Sequence, residues 1–247
     1  MVAIEGPSGA GKSTAARRLA SAVGAPLLAE AYCDLRPRPS LAVRSASELE
    51  RLELRLLDAE ARRFRRAVRR ARSGQDVLLD TGFLGPLTYT AALVRRGLAS
   101  LPLLERLGAR AELLLGEGRW GLPDLILYLE TPAGERARRV AGDPVGHPRS
   151  LAARHEAAGR LEHELYRRRL APRLGRRLRW VPGGGPPGAV TERLLRALAR
   201  RPIRPTGPAI ARAILRALAP RDRPRATGGG RRGAPPRPPG SRAREKG

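Results

Sequence analysis

The sequence predicts a three-layer α/β/α fold, with helices covering both faces of a parallel sheet. Three observations carry that prediction. Five short apolar runs, Val2–Glu5, Pro26–Glu30, Val77–Asp80, Leu125–Leu129 and Leu178–Val181, alternate with stretches of helical periodicity. A G-x-x-x-x-G-K-S/T segment joins the first run to the first helical stretch. The third run ends in a carboxylate, Asp80, at the edge of the sheet where ligands of open α/β folds bind.

The segment after the first strand is Gly6-Pro7-Ser8-Gly9-Ala10-Gly11-Lys12-Ser13-Thr14, an uninterrupted phosphate-binding loop. Only Lys12 and Lys246 are lysines among the 49 basic residues. Lys12 stands where a compact, flexible ammonium must reach β- and γ-phosphates, a task a planar guanidinium does poorly. Residues 6–14 are therefore expected to bind a nucleoside triphosphate, ATP. The helix Lys12–Val23 would aim its N-terminus at the phosphates.

Glu30 closes the second apolar run at the same sheet edge, before Tyr32-Cys33-Asp34-Leu35-Arg36-Pro37-Arg38-Pro39. There its carboxylate could take the proton of an attacking hydroxyl, with Arg36 and Arg38 holding an anionic group of the acceptor. A solvated loop is the plainer reading of the same residues. A long helix is expected from Ser47 to about Arg72. Leu52, Leu54, Leu56, Leu57, Ala59 and Phe64 form its apolar side, and Arg62, Arg63, Arg65, Arg66, Arg69 and Arg70 its basic side. Gly74 stops it before the third strand.

Asp80, with the Ser13 hydroxyl, is the expected holder of Mg²⁺. Beyond it, Thr81 to Thr90 contains Phe83 and Tyr89 beside four hydroxyl groups. These two rings either stack on a substrate or anchor the core. Helices are expected at Pro86–Arg96, Leu101–Leu115, Ala133–Val140, Leu151–Leu170 and Pro187–Ala199. Arg136-Ala137-Arg138-Arg139 leads into a Gly/Pro-rich excursion through His147 and Arg149. That is the make-up of a closing lid at about 140–152 whose arginines, Arg139 and Arg149 first, meet the transferring phosphoryl group. His147, His155 and His163 form no metal-site pattern.

The 247 residues suit one domain, 1–200, followed by a tail, 201–247. Hydrophobic residues make up 41% and aromatics 3%, so the core must be built from Leu, Ala and Val. The net charge is +26, and residues 200–247 hold 14 basic and 2 acidic side chains. Residues 208–218 have the pattern of one amphipathic helix; from Pro220 onward the Arg/Pro/Gly composition predicts disorder. Cys33 is alone, so no intramolecular disulfide or thiolate zinc cluster can form. No apolar stretch approaches a membrane span. Arg17-Arg18 and the apolar residues after them imitate an export signal, but its cleavage would discard the phosphate loop, so a cytoplasmic protein is expected.

With these parts in order, the chain resembles the thymidylate kinase and deoxynucleoside kinase branch of the P-loop kinases. The matching pieces are Ile4–Thr14, Asp80, the strand Pro123–Glu130 leading into the lid helix, Leu161–Leu170, and Trp180–Leu198. The resemblance implies a sheet in strand order 2-3-1-4-5 and a helical lid. It also implies Mg²⁺-dependent transfer of the ATP γ-phosphoryl to a nucleoside or nucleoside monophosphate, with Glu30 as base; a homodimer is compatible with it. Thr81 stands where relatives usually carry arginine. The competing reading is a nucleotide-switched ATPase that grips nucleic acid, without sequence preference, or another partner through its basic tail.

Overall fold

The computed structural model describes residues 1–39, 43, 45–141, 158–199 and 206–219. Its centre is a parallel sheet of five strands in the order β2-β3-β1-β4-β5. The strands are Val2–Glu5 (β1), Leu27–Leu28 (β2), Leu78–Asp80 (β3), Leu125–Glu130 (β4) and Leu178–Pro182 (β5). β1 is buried at all four positions, as a central parallel strand covered on both faces must be. Its register sets Ile4 opposite both Asp80 and Leu127, which brings the C-terminal ends of β1, β3 and β4 to one edge.

Alternation along the strands splits the core in two. Ala3, Leu79, Ile126 and Tyr128 face one side; Val2, Ile4, Leu78, Leu125, Leu127 and Leu129 face the other. The second side is covered by Lys12–Val23 (α1) and, beyond β5, by a late helix ending at Leu198, through Ala16, Leu19, Val190 and Leu194. The first side is covered by Ala46–Arg72 (α2), Gly85–Arg95 (α3) and Leu101–Gly116 (α4). Ser45 caps α2 by accepting from the Glu48 amide at 3.2 Å, the S-x-x-E arrangement that starts a helix without an orphan donor. Trp120, fully buried after α4, donates its indole N–H to the Phe83 carbonyl at 3.2 Å.

After β4 come Ala133–Ala141 (α5) and a helical stretch over residues 158–174 (α6), which loosens to a π-helical turn at Tyr166–Leu170. The chain then forms β5 and the helices Pro187–Leu198 (α7) and Pro208–Leu218 (α8). α8 has the bounds expected from its periodicity. It also sinks Ala211, Ile214, Leu215, Ala217 and Leu218 into the same core as α3 and α4. The folded unit thus reaches past residue 200, and Thr206 secures the approach by hydrogen bonds to Asp124 and Pro123.

Two expectations change. β2 spans only Leu27–Leu28, so Glu30 lies beyond the strand, at the start of the 3-10 turn Ala31–Asp34. Arg63, read as part of the basic face of α2, is 0% exposed. Its Nη1 donates to Glu60 Oε2 at 2.8 Å. Its Nη2 donates to the carbonyls of Leu28 (3.2 Å), Asp80 (2.7 Å) and Thr81 (2.6 Å). A single guanidinium thereby ties α2 to the C-terminal ends of β2 and β3.

Replacing Arg63 by Met leaves three buried carbonyls and a buried Glu60 without their donor. We expect a loss of about 3–5 kcal/mol in denaturant unfolding, with part of it regained in the Glu60→Leu/Arg63→Met double variant.

Candidate active site

The phosphate loop is held open for an anion by its own backbone. Gly6, Gly9 and Gly11 adopt φ of 143°, 74° and 89°, conformations that residues with a Cβ rarely adopt. Gly11 caps α1 with no side chain, so the first amides of the helix are left for a ligand. The loop is braced from outside at one point. The Ala10 carbonyl accepts from Thr131 Oγ1 at 3.2 Å and from Arg139 Nη1 at 2.9 Å. Lys12 Nζ lies 3.3 Å from the Pro7 carbonyl, folded over the loop it would leave to meet a phosphate.

Asp80 is buried beside the loop, and its Oδ1 has no hydrogen-bond partner. An orphaned carboxylate oxygen at this edge, with the Ser13 hydroxyl at the start of α1, is a fitting donor set for a hard cation such as Mg²⁺. The next residue, Thr81, is the one non-glycine among the described residues with positive φ, 67°. Its carbonyl is fixed by Arg63, as described above. Gly82 follows with its amide donating to Glu5 Oε1 at 2.8 Å, and a Cβ there would strike that carboxylate.

From the loop opens a cleft of about 270 Å³. Lys12 and Ser8 of the loop, residues of α2 and α3, and Ala158, Gly159 and Glu162 of α6 line it, with Gly159 packed closely against Pro7 of the loop. Five glutamates line it: Glu5, Glu30, Glu53, Glu60 and Glu162. Loss of water around them sets their proton affinities. Burial, with repulsion from Glu162, pushes the Glu5 carboxyl up to about 8 against the pull of Lys12. Burial and Glu162 push Glu53 up to about 8 as well. Burial raises Glu60 to about 7 although Arg63 opposes it. Glu30 is solvent-accessible on the cleft side, yet the surrounding walls and Asp80 raise its carboxyl above the ordinary range while Lys12 opposes. Glu162 is raised by desolvation in the same way, and accepts from Thr88 Oγ1 at 2.7 Å.

Of the residues singled out in the sequence, Lys12, Ser8, Gly6, Glu30 and Tyr89 line this cleft together. Phe83 does not. It is 0% exposed and meets Phe64 edge-on with ring centroids 5.2 Å apart, so it is a core anchor rather than a stacking surface. Arg36 and Arg38 are exposed and absent from the cleft lining, and Arg36 spends Nη1 on the carbonyls of Cys33 and Leu35. Arg139 bonds Ala10, Glu135 and the carbonyls of Gly183 and Gly185, bracing the loop instead of projecting into the cleft. Arg149 and the expected lid from residue 142 on lie outside the described residues, as do His147, His155 and the tail beyond residue 219. His163 packs among the rings of Tyr128 and Trp180. Among the described residues, no group of three or more potential ligands is arranged for a metal, and no helix is long and apolar enough to cross a membrane.

Sequence reasoning missed Glu53, Glu60 and Glu162, read Arg63 as part of a basic face, and named Arg136 among the arginines before the lid but put Arg139 ahead of it. Glu53 and Glu60 did leave a trace: they recur seven residues apart within the apolar stripe Leu49, Leu52, Leu57, where a solvated face would not put them. Arg136, in α5, is buried, its Nε has no hydrogen-bond partner, and its guanidinium lies against Gly159 at the cleft wall.

A family model described as an AAA domain matches residues 1–142. No curated protein matches the sequence. Solved structures of a deoxyadenosine kinase from M. mycoides share the fold at low identity. The one with bound dATP superposes with a TM-score of 0.59 at 15% identity, covering 80% of this chain and 98% of that one. The one with the products dCMP and dCDP gives 0.57 at 15%, covering 80% and 97%. The fold, strand order included, is thus that of a P-loop nucleoside kinase.

An alanine Cβ at Gly9 would sit 2.8 Å from the Arg136 carbonyl, in a conformation unfavourable to alanine. Gly9→Ala is expected to weaken ATP binding at least about tenfold in a titration while far-UV circular dichroism is retained.

Proposed function

This chain belongs to the AAA domain family, and on that premise we propose that it is an ATP- and Mg²⁺-dependent kinase of a small hydroxyl-bearing molecule. The observation that supports the reading is the junction of two spaces. The phosphate loop opens directly into a cleft, with Lys12 at their meeting point and Glu30 among the cleft's lining residues. A switch or motor ATPase has no need of a second small-molecule site beside the γ-phosphate; a phosphotransferase does. Deoxyadenosine kinase, with which the chain shares its fold, makes a nucleoside or nucleotide one natural acceptor to test.

In this reading the loop amides from residues 6 to 14 and Lys12 Nζ hold the β- and γ-phosphates, and Ser13 and Asp80 would hold Mg²⁺. The cation, when bound, neutralises charge building on the phosphate oxygens. The acceptor hydroxyl lies in the cleft, in line with the γ-phosphorus. Its oxygen bonds to phosphorus as the bond to the β-phosphate oxygen breaks, and its proton passes to Glu30. The raised proton affinity of Glu30 suits that task, since a base too weak would not take the proton. Arg136 is the buried cation beside the loop available to the transferred group, in the place first assigned to Arg139.

Coupled ADP release, measured over nucleosides, monophosphates and other alcohols, tests the reading. A productive acceptor should raise ADP release well above ATP hydrolysis. Glu30→Gln should lower kcat by about 10²–10⁴ with ATP still bound, and Lys12→Ala should abolish ATP binding. ATP binding that no acceptor converts to ADP release would sink the kinase assignment.

A further inference from the structure

The cleft holds a charge pattern that the kinase reading does not by itself explain. Five carboxyl groups line it, and Lys12, already committed to the phosphates, is the one cationic side chain among the described lining residues. Three have partners: Glu5 accepts from the Gly82 amide, Glu60 from Arg63, Glu162 from Thr88. Glu53 is different. It is 2% exposed, it lines the cleft from the middle of α2, and its Oε2 has no hydrogen-bond partner. A buried carboxyl oxygen left unmet is costly and is kept where a ligand meets it. The rest of that wall is apolar, with Val43, Leu49, Leu52 and Leu56 beside Tyr32 and Tyr89.

We propose that the phosphoryl acceptor is an unphosphorylated hydroxylated amine, its ammonium seated against Glu53 and Glu162 and its hydroxyl facing Glu30 and the phosphate loop. The proposal rests on the kinase reading above. Ionisation of Glu53 is opposed by burial and by Glu162, so an ammonium seated between the two carboxyl groups would stabilise the ionised form that the empty cleft disfavours. A nucleoside monophosphate would instead bring about two negative charges among five carboxyl groups. In the transfer, the acceptor oxygen gains the γ-phosphoryl, its proton goes to Glu30, ADP leaves, and the ammonium is unchanged.

The titratable groups that share the cleft with Glu53 are Glu162 from α6, which acts on it directly, Glu5 from β1, Glu60 on its own helix, Glu30 after β2, Lys12 from α1, Tyr32 and Tyr89. In the empty cleft Glu53 holds its proton below about pH 8. An ammonium favours the ionised form, so amine binding should strengthen as pH rises from about 6 to about 9.

The test uses the full chain with Mg-ATP and matched acceptors. The pairs are streptamine against scyllo-inositol and phenylalaninol against phenylpropanol, with deoxyadenosine and thymidine monophosphate alongside. ADP release and the mass of the phosphate ester are read, and calorimetry follows each amine into the ADP complex. At least one amine should bind and be phosphorylated with kcat/KM at least about tenfold above its neutral partner. Its KM should fall with rising pH. Glu53→Gln, nearly isosteric with the protonated acid, should raise that KM at least about tenfold, erase its pH dependence and collapse the preference, with an unchanged melting temperature. Equal or better turnover of the neutral alcohols, deoxyadenosine or thymidine monophosphate overturns the amine proposal and leaves the kinase standing. Amine binding that depends on Glu53 without any transfer supports the site and removes the kinase reading. No amine binding at all overturns the proposal.

Discussion

The buried guanidinium of Arg63 is the interaction on which the site depends. Burying a cation costs several kcal/mol unless its donors are met; here Nη1 and Nη2 are met by Glu60 and by three main-chain carbonyls, while Nε is left without a partner. Those carbonyls belong to the ends of β2 and β3. The segments that follow them carry Glu30 on one side and Thr81-Gly82 on the other. One side chain therefore joins segments on two sides of the cleft, and braces the carbonyl of Thr81 at its positive φ.

The chain is strongly basic, yet the concave surface of the fold is acidic. Arginines occupy the outer face of α2 at Arg62, Arg65 and Arg69, all exposed. The inner face of the same helix carries Glu53 and Glu60 into the cleft. Net charge describes what the outer surface attracts at a distance; the cleft is lined instead by carboxyl groups whose burial raises their proton affinity. The two must be read separately, since the overall charge of +26 points to anionic ligands and the cleft does not.

Much of the fold was legible because its determinants are local. The phosphate loop is contiguous, and the periodicity of α1, α2, α4 and α8 gives their bounds to within a residue or two. What was hidden depends on side chains meeting across long separations. Arg63 looks like its neighbours Arg62 and Arg65 until the strand ends are brought against it, 17 and 35 residues away. Phe83 sits beside Asp80 in sequence but points into the core, because Trp120 and Phe64 claim its surroundings. Glu30 was placed at a strand end that stops at Leu28, since β2 has pairing partners on one edge alone. Its position in the cleft comes from the 3-10 turn that follows it, a feature no alternation of residues announces.

The packing of α8 has a consequence for how the chain is made. Ile214, Leu215 and Leu218 complete a core whose other members, on α3 and α4, are synthesised about 100 residues earlier. Until α8 arrives, the nascent chain carries an uncovered apolar surface on α3 and α4, a surface that chaperones or neighbouring chains can engage. Packing behind the cleft is thereby completed by a helix that follows, in the chain, every described residue lining it.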